Sequence, residues 1–373
     1  MSPSRRALVG GLSALALGAC DRKGAGAATA AAWRAVRPLK DVAPFPVGTC
    51  LMTPEIQDPA FVDLALRHFS QMTPEFEMKM ERTVADDGGY RFDASDSIAD
   101  FCRQNRLRLH ATTLIWYAQK PPAFERLQGD RVAFEQKLRD YVSAVMGRYR
   151  GLARGWDVLN EAVAEDGNGY RGGIWQATLG DDYSRLAFEL AHEADPESLL
   201  FLNDYNLEIM PAKLDAFQRL LESLLKAGAP VTGIGTQSHL NADLPPGQAA
   251  RAIQALARFG LPIHVSELDI STRQGVLSFQ DSATRLRSQA RVAAEVADAF
   301  MALPPAQRYA FTTWGVRDKD SWLCKSPNAG DGSDQPLLFD NQGDPKPAFD
   351  AVEAAFGSVR PAARPQARPE DRY

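Results

Sequence analysis

Eight short runs rich in β-branched and aromatic residues recur along the chain, and helical patterns separate them. The runs are PFPVGTCL (44–51), FSQMT (69–73), LRLHATTLIW (107–116), GWDVLNE (155–161), LLFLND (199–204), VTGIGTQSHL (231–240), PIHVSELDI (262–270) and YAFTTWGV (309–316). Between them lie amphipathic stretches such as RVAFEQKLRDYVSAVMGRY (131–149) and AKLDAFQRLLESLLKAG (212–228). In the second, Leu214, Phe217, Leu221, Leu224 and Leu225 share one face at helical spacing, and Gly228 closes the helix. Strand–helix alternation implies parallel strands joined by crossover helices. Eight such units predict an α/β fold, a single closed (β/α)8 TIM barrel. No G-x-G-x-x-G follows the first strand, which argues against an open dinucleotide-binding sheet.

In such a barrel the C-terminal strand ends point into one shared mouth. Read in order, those ends supply Thr73-Pro74-Glu75 with Lys79, Trp116 to Gln119, Asn160-Glu161, and Asn203-Asp204-Tyr205-Asn206. Then come Gln237-Ser238-His239, Glu267-Leu268-Asp269, and Trp314 to Asp318. Glu161 and Glu267 stand out. They are far apart in sequence, yet a closed barrel aims both at the same pit. A carboxylate pair among Trp116, Trp314, Trp322, Asn160, Gln237 and His239 is equipment for glycoside hydrolysis. Indoles stack on sugar faces, and amides and imidazole bind hydroxyls.

At these residues the chain resembles glycoside hydrolase family 10, the endo-β-1,4-xylanases and relatives. The matching stretches run in order from TPEFEMKME (73–81) through TLIWYAQKP (113–121), WDVLNEAVAEDG (156–167), FLNDYNLE (201–208), GIGTQSHL (233–240), VSELDI (265–270) and TTWGVRDKDSWL (312–323) to PLLFDNQGDPKPAFDAV (336–352). The resemblance implies a retaining β-glycosidase, most simply an endo-1,4-β-xylanase acting by double displacement. Glu161 matches the acid/base and Glu267 the nucleophile. Asn160 matches the residue that bonds the sugar 2-hydroxyl, and His239 the one that contacts the nucleophile. Gln237, Gln119, Lys79, Glu75, Trp116, Trp314 and Trp322 match non-reducing-side sugar contacts, and Tyr205 matches a leaving-group-side stacking residue. His239 and Trp314 each have a structural alternative, as a core imidazole and as barrel packing. Asp157 and Asp269 read as structural acceptors.

The chain also departs from the family pattern. Where TPENEMKW is expected, Phe76 replaces the Asn and Met80 the Trp. Where GHTLVWH is expected, Thr112 and Tyr117 replace the two histidines. The aromatic just beyond the Q-x-P turn has no clear match. All four substituted positions are expected on the nucleophile side of the cleft, so the resemblance implies an altered non-reducing-side subsite. Two other readings stay open. One is a catalytically weak carbohydrate-binding lipoprotein that retains the barrel, which the intact Glu161, Glu267, Asn160 and His239 set opposes. The other is an unrelated (β/α)8 enzyme, which predicts no glycoside turnover.

The ends read differently from the middle. Ser4-Arg5-Arg6 precedes the apolar run Ala7 to Ala19, too short to span a bilayer as a mature helix and laid out as an export signal. The run ends in Leu17-Gly18-Ala19-Cys20, which resembles a lipobox with Cys20 as the lipidated residue. The expected divisions are an export signal over 1–20, a flexible tether over 21–42, the catalytic domain over 43–357 and a Pro- and Arg-rich disordered tail over 358–373. The product is then exported, periplasmic or at the cell surface, with only a lipid anchor in the membrane, and a monomer. A net charge of -5 with scattered acidic residues argues against nucleic-acid partners. With no C-x-x-C and no H-E-x-x-H, neither a metal site nor a cofactor is expected. Cys50 and Cys324 follow strands that neighbour each other in a closed barrel, so a disulfide between them is geometrically open.

Overall fold

The computed structural model describes residues 36–273 and 279–358. The export signal, Cys20 and most of the tether and tail lie outside these residues. Eight parallel strands close a barrel. They are β1 (Val47–Leu51), β2 (Gln71–Pro74), β3 (Arg108–Trp116), β4 (Ala153–Asn160), β5 (Leu199–Asp204), β6 (Gly233–Thr236), β7 (Ile263–Ser271) and β8 (Arg308–Thr313). Each strand pairs with the next, and β1 pairs with β8 to complete the ring. A three-residue strand, His239–Asn241, follows β6 and pairs with β7, setting His239 opposite Asp269. The strands are buried along nearly their whole length, as parallel strands covered on both faces must be.

The covering helices are α1 (Pro59–His68), α2 (Asp93–Asn105), α3 (Arg131–Tyr149), α4 (Tyr183–Ala194), α5 (Pro211–Lys226), α6 (Gln248–Ala257), α7 (Ser282–Met301) and α8 (Pro347–Gly357). Their starts are chemically specified. Asp58, Asp130 and Asp281 accept backbone N–H bonds at the first turns of α1, α3 and α7. Among the described residues no helix is long and apolar enough to cross a membrane.

Two expectations need correction, and the open disulfide question closes. The face that α5 buries is Lys213, Ala216, Phe217, Gln218, Leu221 and Leu224, while Leu225 is exposed. Lys213 takes a place in the stripe because two carboxylates wait for it. The tether reading also extends too far. Leu39–Val42 forms a helical turn with Leu39 fully buried, packed against α1 and α8. Finally, Cys50, Cys102 and Cys324 are all free thiols.

The barrel interior below the mouth is polar. His110 bonds Asp157 Oδ1 at 3.0 Å and the Tyr309 hydroxyl at 3.1 Å, and His264 Nε2 bonds Thr312 at 2.7 Å. The His110, Asp157 and His264 ligand atoms lie within 4.8 Å of one another. Both His110 nitrogens are already engaged, which makes this a hydrogen-bonded core.

Candidate active site

The end of β4 carries the first carboxylate. Asn160 is the last strand residue, paired with Trp116 on β3 and Asn203 on β5. Glu161 follows with φ of 55°, in the left-handed region, while its N–H donates to the Asn203 carbonyl at 2.8 Å. A non-glycine residue there is strained, and such strain gathers at working sites. It turns the Glu161 side chain off the strand direction and into the mouth.

The second carboxylate, Glu267, sits within β7. Amides join the two. Asn203 Nδ2 donates to Glu267 Oε1 at 3.0 Å and to Asn160 Oδ1 at 2.9 Å, while Asn160 Nδ2 reaches Glu161 Oε1 at 3.3 Å. Gln237 Nε2 donates to Glu161 Oε1 at 3.1 Å and to Asn160 Oδ1 at 3.3 Å. Asn203 can approach because β6 carries Gly235, where a Cβ would lie 2.2 Å from Asn203 Oδ1.

The two carboxylates have different surroundings. Burial raises the Glu161 pKa above the usual carboxyl range, and the charge of Glu267 adds to the rise. Trp116, Gln237 and Arg171 oppose it. The Trp116 indole N–H lies beside Glu161 without full hydrogen-bond geometry. Glu267 faces His239, whose Nε2 is 3.4 Å from Oε2 and whose Nδ1 is 2.9 Å from Asp269 Oδ2. Burial alone would lower the His239 pKa, but Asp269 and then Glu267 drive it well above its ordinary value. The imidazole beside Glu267 is therefore biased toward its protonated form. Asp269 also accepts the Trp322 indole N–H at 2.8 Å, which locks that ring beside His239.

Most of the other expected residues gather around this pair. Trp314 is nearly buried, with its ring centroid 6.4 Å from that of His239. Lys79 Nζ stands 4.9 Å from the ring centroids of both Phe76 and Trp116. Glu75 is buried, its pKa raised by that burial, and it accepts the Cys50 thiol at 3.9 Å. Gln119 is buried and anchored through Oε1 to the Glu81 N–H. Tyr205 stands slightly apart, in a group the sequence reading did not anticipate. Lys213 Nζ lies 3.5 Å from the Tyr205 ring centroid, and Arg171 lies on the same ring at 5.1 Å. Arg171 and Lys213 both pair with Glu165, at 2.7 and 3.2 Å. Burial opposes ionisation of Glu165, but Tyr205, Arg171 and Lys213 outweigh it and hold the carboxyl down to about 2.

Comparison with known proteins names this arrangement. The model of Glycosyl hydrolase family 10 matches residues 39–355. The chain belongs to glycosyl hydrolase family 10. It is 37% identical over 296 residues to an endo-1,4-beta-xylanase of Geobacillus stearothermophilus, covering 77% of this chain and 88% of the relative. It is 34% identical over 320 residues to endo-1,4-beta-xylanase A of Caldicellulosiruptor sp. (strain Rt8B.4), covering 82% of this chain but only 45% of that longer relative. The crystal structure of native xylanase 10B from Thermotoga maritima matches with a TM-score of 0.78 at 29% identity, over 86% of this chain and 98% of that one.

Against the family 10 pattern, the four substituted positions separate in space. Phe76 is 41% exposed and carries Lys79 and Arg82 against its ring. Met80 and Thr112 are buried. Tyr117, expected on the same side as Phe76, lies edge-on to Trp116 with ring centroids 6.2 Å apart and also holds Arg171 at 4.4 Å, which links it to the Tyr205 group. The Arg171 guanidinium lies within cation–π reach of both the Tyr117 and the Tyr205 ring. Asn203, Arg171 and Lys213 are the residues the sequence reading missed as site builders. Asn203 showed only as one of four polar residues at its strand end, Lys213 as a charge beside the apolar stripe of α5, and Arg171 left no signal.

Proposed function

We propose that this family 10 glycoside hydrolase is a retaining endo-1,4-β-xylanase in which Glu267 is the nucleophile and Glu161 the acid/base. The observation that carries this reading is the pair of buried carboxylates linked through the Asn160, Asn203 and Gln237 amides, with the His239 ring against Glu267. In the first step a Glu267 oxygen bonds to the anomeric carbon, and the glycosidic C–O bond breaks. Glu161 gives its proton to the departing oxygen. Esterification removes the Glu267 charge that raised the Glu161 pKa. Glu161, ionised by giving up its proton, stays so at its lowered pKa and takes a proton from water, whose oxygen attacks the anomeric carbon and frees Glu267. A retaining enzyme needs its carboxyl groups about 5–5.5 Å apart.

Asn160 is suited to bond the sugar 2-hydroxyl, and Glu75, Lys79, Trp116, Gln119, Gln237, Trp314 and Trp322 to hold the non-reducing side. Tyr205 and Tyr117 would face the leaving group. Phe76, exposed where the family carries an amide, and Thr112, where it carries a histidine, detune binding of an unsubstituted xylose chain. Decorated xylan fragments or a β-glucan are the alternative substrates. The same substitutions favour a second reading, a weakly catalytic carbohydrate-binding lipoprotein anchored through Cys20 after export.

Mass spectrometry of products separates the two. Protein lacking residues 1–20 is incubated with xylo-oligosaccharides, glucuronoxylan and cello-oligosaccharides, with Glu267→Ala as the blank. Xylobiose and xylotriose absent from the blank support the endo-xylanase. A 2-fluoro-glycosyl inhibitor should label Glu267, and no label with no product would favour the binder. Phe76→Asn with Thr112→His should raise kcat/KM on linear xylo-oligosaccharides by roughly 2–10-fold for one recovered hydrogen bond. A fall would sink the detuning idea.

A further inference from the structure

Strand β6 stops at Thr236, and the chain resumes strand geometry only at His239. The two residues between include Ser238 at φ of 59°, in the region that favours glycine. Yet this break is where the site takes two of its contacts. Gln237 bonds Glu161 and Asn160, and His239 bonds Asp269 and stands 3.4 Å from Glu267. Something outside the mouth must hold the break in shape.

We propose that Glu208 is a positioning residue whose buried carboxylate straps the broken end of β6 so that Gln237 and His239 reach the two carboxylates. The Thr236 and Ser238 hydroxyls both donate to Glu208 Oε1, each at 2.6 Å. That length belongs to charge-assisted O–H···O⁻ bonds, about twice as strong as neutral ones. All three side chains are buried, and the two hydroxyls flank Gln237 on either side in the chain. The second Glu208 oxygen has no hydrogen-bond partner among the described residues, so the strap is what occupies this carboxylate. Glu208 bonds neither Glu161 nor Glu267. The strap also gives a reason for serine at 238. Glycine would relax the backbone but remove one of the two hydroxyls.

The proposal rests on the roles given above to Glu161 and Glu267. Loss of the strap frees Gln237, which normally lowers the Glu161 pKa by donating to it. The other groups facing Glu161 stay in place: Glu267 on β7, Arg171 in the loop after β4, and Asp204 and Tyr205 at the end of β5. The acid must be protonated to work, so a higher Glu161 pKa moves the alkaline limb of the kcat/KM–pH profile upward.

Three variants test the strap on xylotetraose hydrolysis. Glu208→Ala should lower kcat/KM by roughly 10–100-fold, the scale of a misplacement near 1 Å, and shift the alkaline limb upward. Glu208→Gln keeps one oxygen acceptor and should stay within about threefold of the parent. Ser238→Gly should match or exceed the parent Tm while losing about threefold or more in kcat/KM. Glu208→Ala within about twofold of the parent and with an unmoved limb overturns the proposal. If Glu208→Ala does not fold, Ser238→Gly decides, and unchanged kcat/KM there overturns it. An active Glu267→Ala protein would instead sink the catalytic reading itself.

Discussion

At Glu161 one side chain meets two opposed demands. In the proposed mechanism it holds a proton until the leaving group takes it, then serves as a carboxylate base toward water. Burial supplies the first, and removal of the Glu267 charge supplies the second. Lys213 shows what this mouth requires of residues that touch no substrate. It is fully buried on α5 and pairs at 2.9 Å with Asp204, itself fully buried. Burial pushes the Asp204 carboxyl up to about 6, and Lys213 is the main force holding it down. Removing one partner of such a pair leaves an unpaired buried charge. Lys213→Met is therefore expected to cost about 3–5 kcal/mol, read from urea unfolding. Adding Asp204→Asn removes the orphaned charge and should recover part of that loss. Additive losses in the double variant would show that the pair is not the cause. The strand-end reading located Glu161, Glu267, Asn160, Gln237 and His239, because a carboxylate, amide or imidazole after an apolar run is conspicuous. Asn203 was legible only as one polar residue in a row of four. Its bonding to Asn160 and Glu267 depends on register, which no local pattern records.

At the scale of elements, the sequence run 231–240 reads as one strand but folds as two with a break. The reading fails there for a physical reason. A serine held in a left-handed conformation by distant hydroxyl bonds looks locally like any strand residue. The glycines of the same run are more informative. Gly235 leaves room for the Asn203 amide, whose Oδ1 also accepts the Ser266 hydroxyl at 2.8 Å. A methyl group there collides with Asn203 within the closed barrel, where neither strand can retreat. Gly235→Ala should push the Asn203 amide off Glu267 and Asn160 and lower kcat. The expected loss is about tenfold, for one misplaced charge-assisted hydrogen bond worth ~1.5 kcal/mol. KM should move less, because Asn203 serves the reacting carboxylate rather than the outer cleft. A variant with wild-type kcat would mean that the amide chain between the carboxylates is packing alone. Helix α3 shows the opposite case, where local signals suffice. Its expected span 131–149 is the observed one, because Asp130 caps its start and its own periodicity sets its buried face.

The alternation of strands and helices implied the closed ring, but it gave no view of where the fold begins. Leu39 looked like the end of a tether because it follows an Ala- and Gly-rich stretch with no periodicity. Its burial is decided by residues far along the chain. The Leu39 side chain is fully enclosed, its N–H donates to His68 Nδ1 at 3.4 Å, and Lys40 bonds the Leu66 carbonyl. His68 lies edge-on to Phe339 and Phe349, so this corner joins α1, α8 and the segment before α8. Burial, helped by Arg67 and Lys40, lowers the His68 pKa to about 3, so the ring is neutral and accepts the Leu39 N–H. A protein starting at residue 36 and one starting at residue 43 should therefore differ sharply. Losing residues 36–42 exposes apolar surface worth about 2–3 kcal/mol for Leu39 and leaves a buried nitrogen without its donor. The Arg37–Glu353 pair, with Arg37 largely exposed, adds little. At roughly 2 °C per kcal/mol for a domain of this size, the shorter protein should melt about 5 °C or more below the longer one. Its kcat/KM at 25 °C should be unchanged, since the corner lies away from both carboxylates. Equal melting temperatures would restore the tether to residue 42, and a loss of kcat/KM without a loss of stability would mean that this corner reaches the mouth.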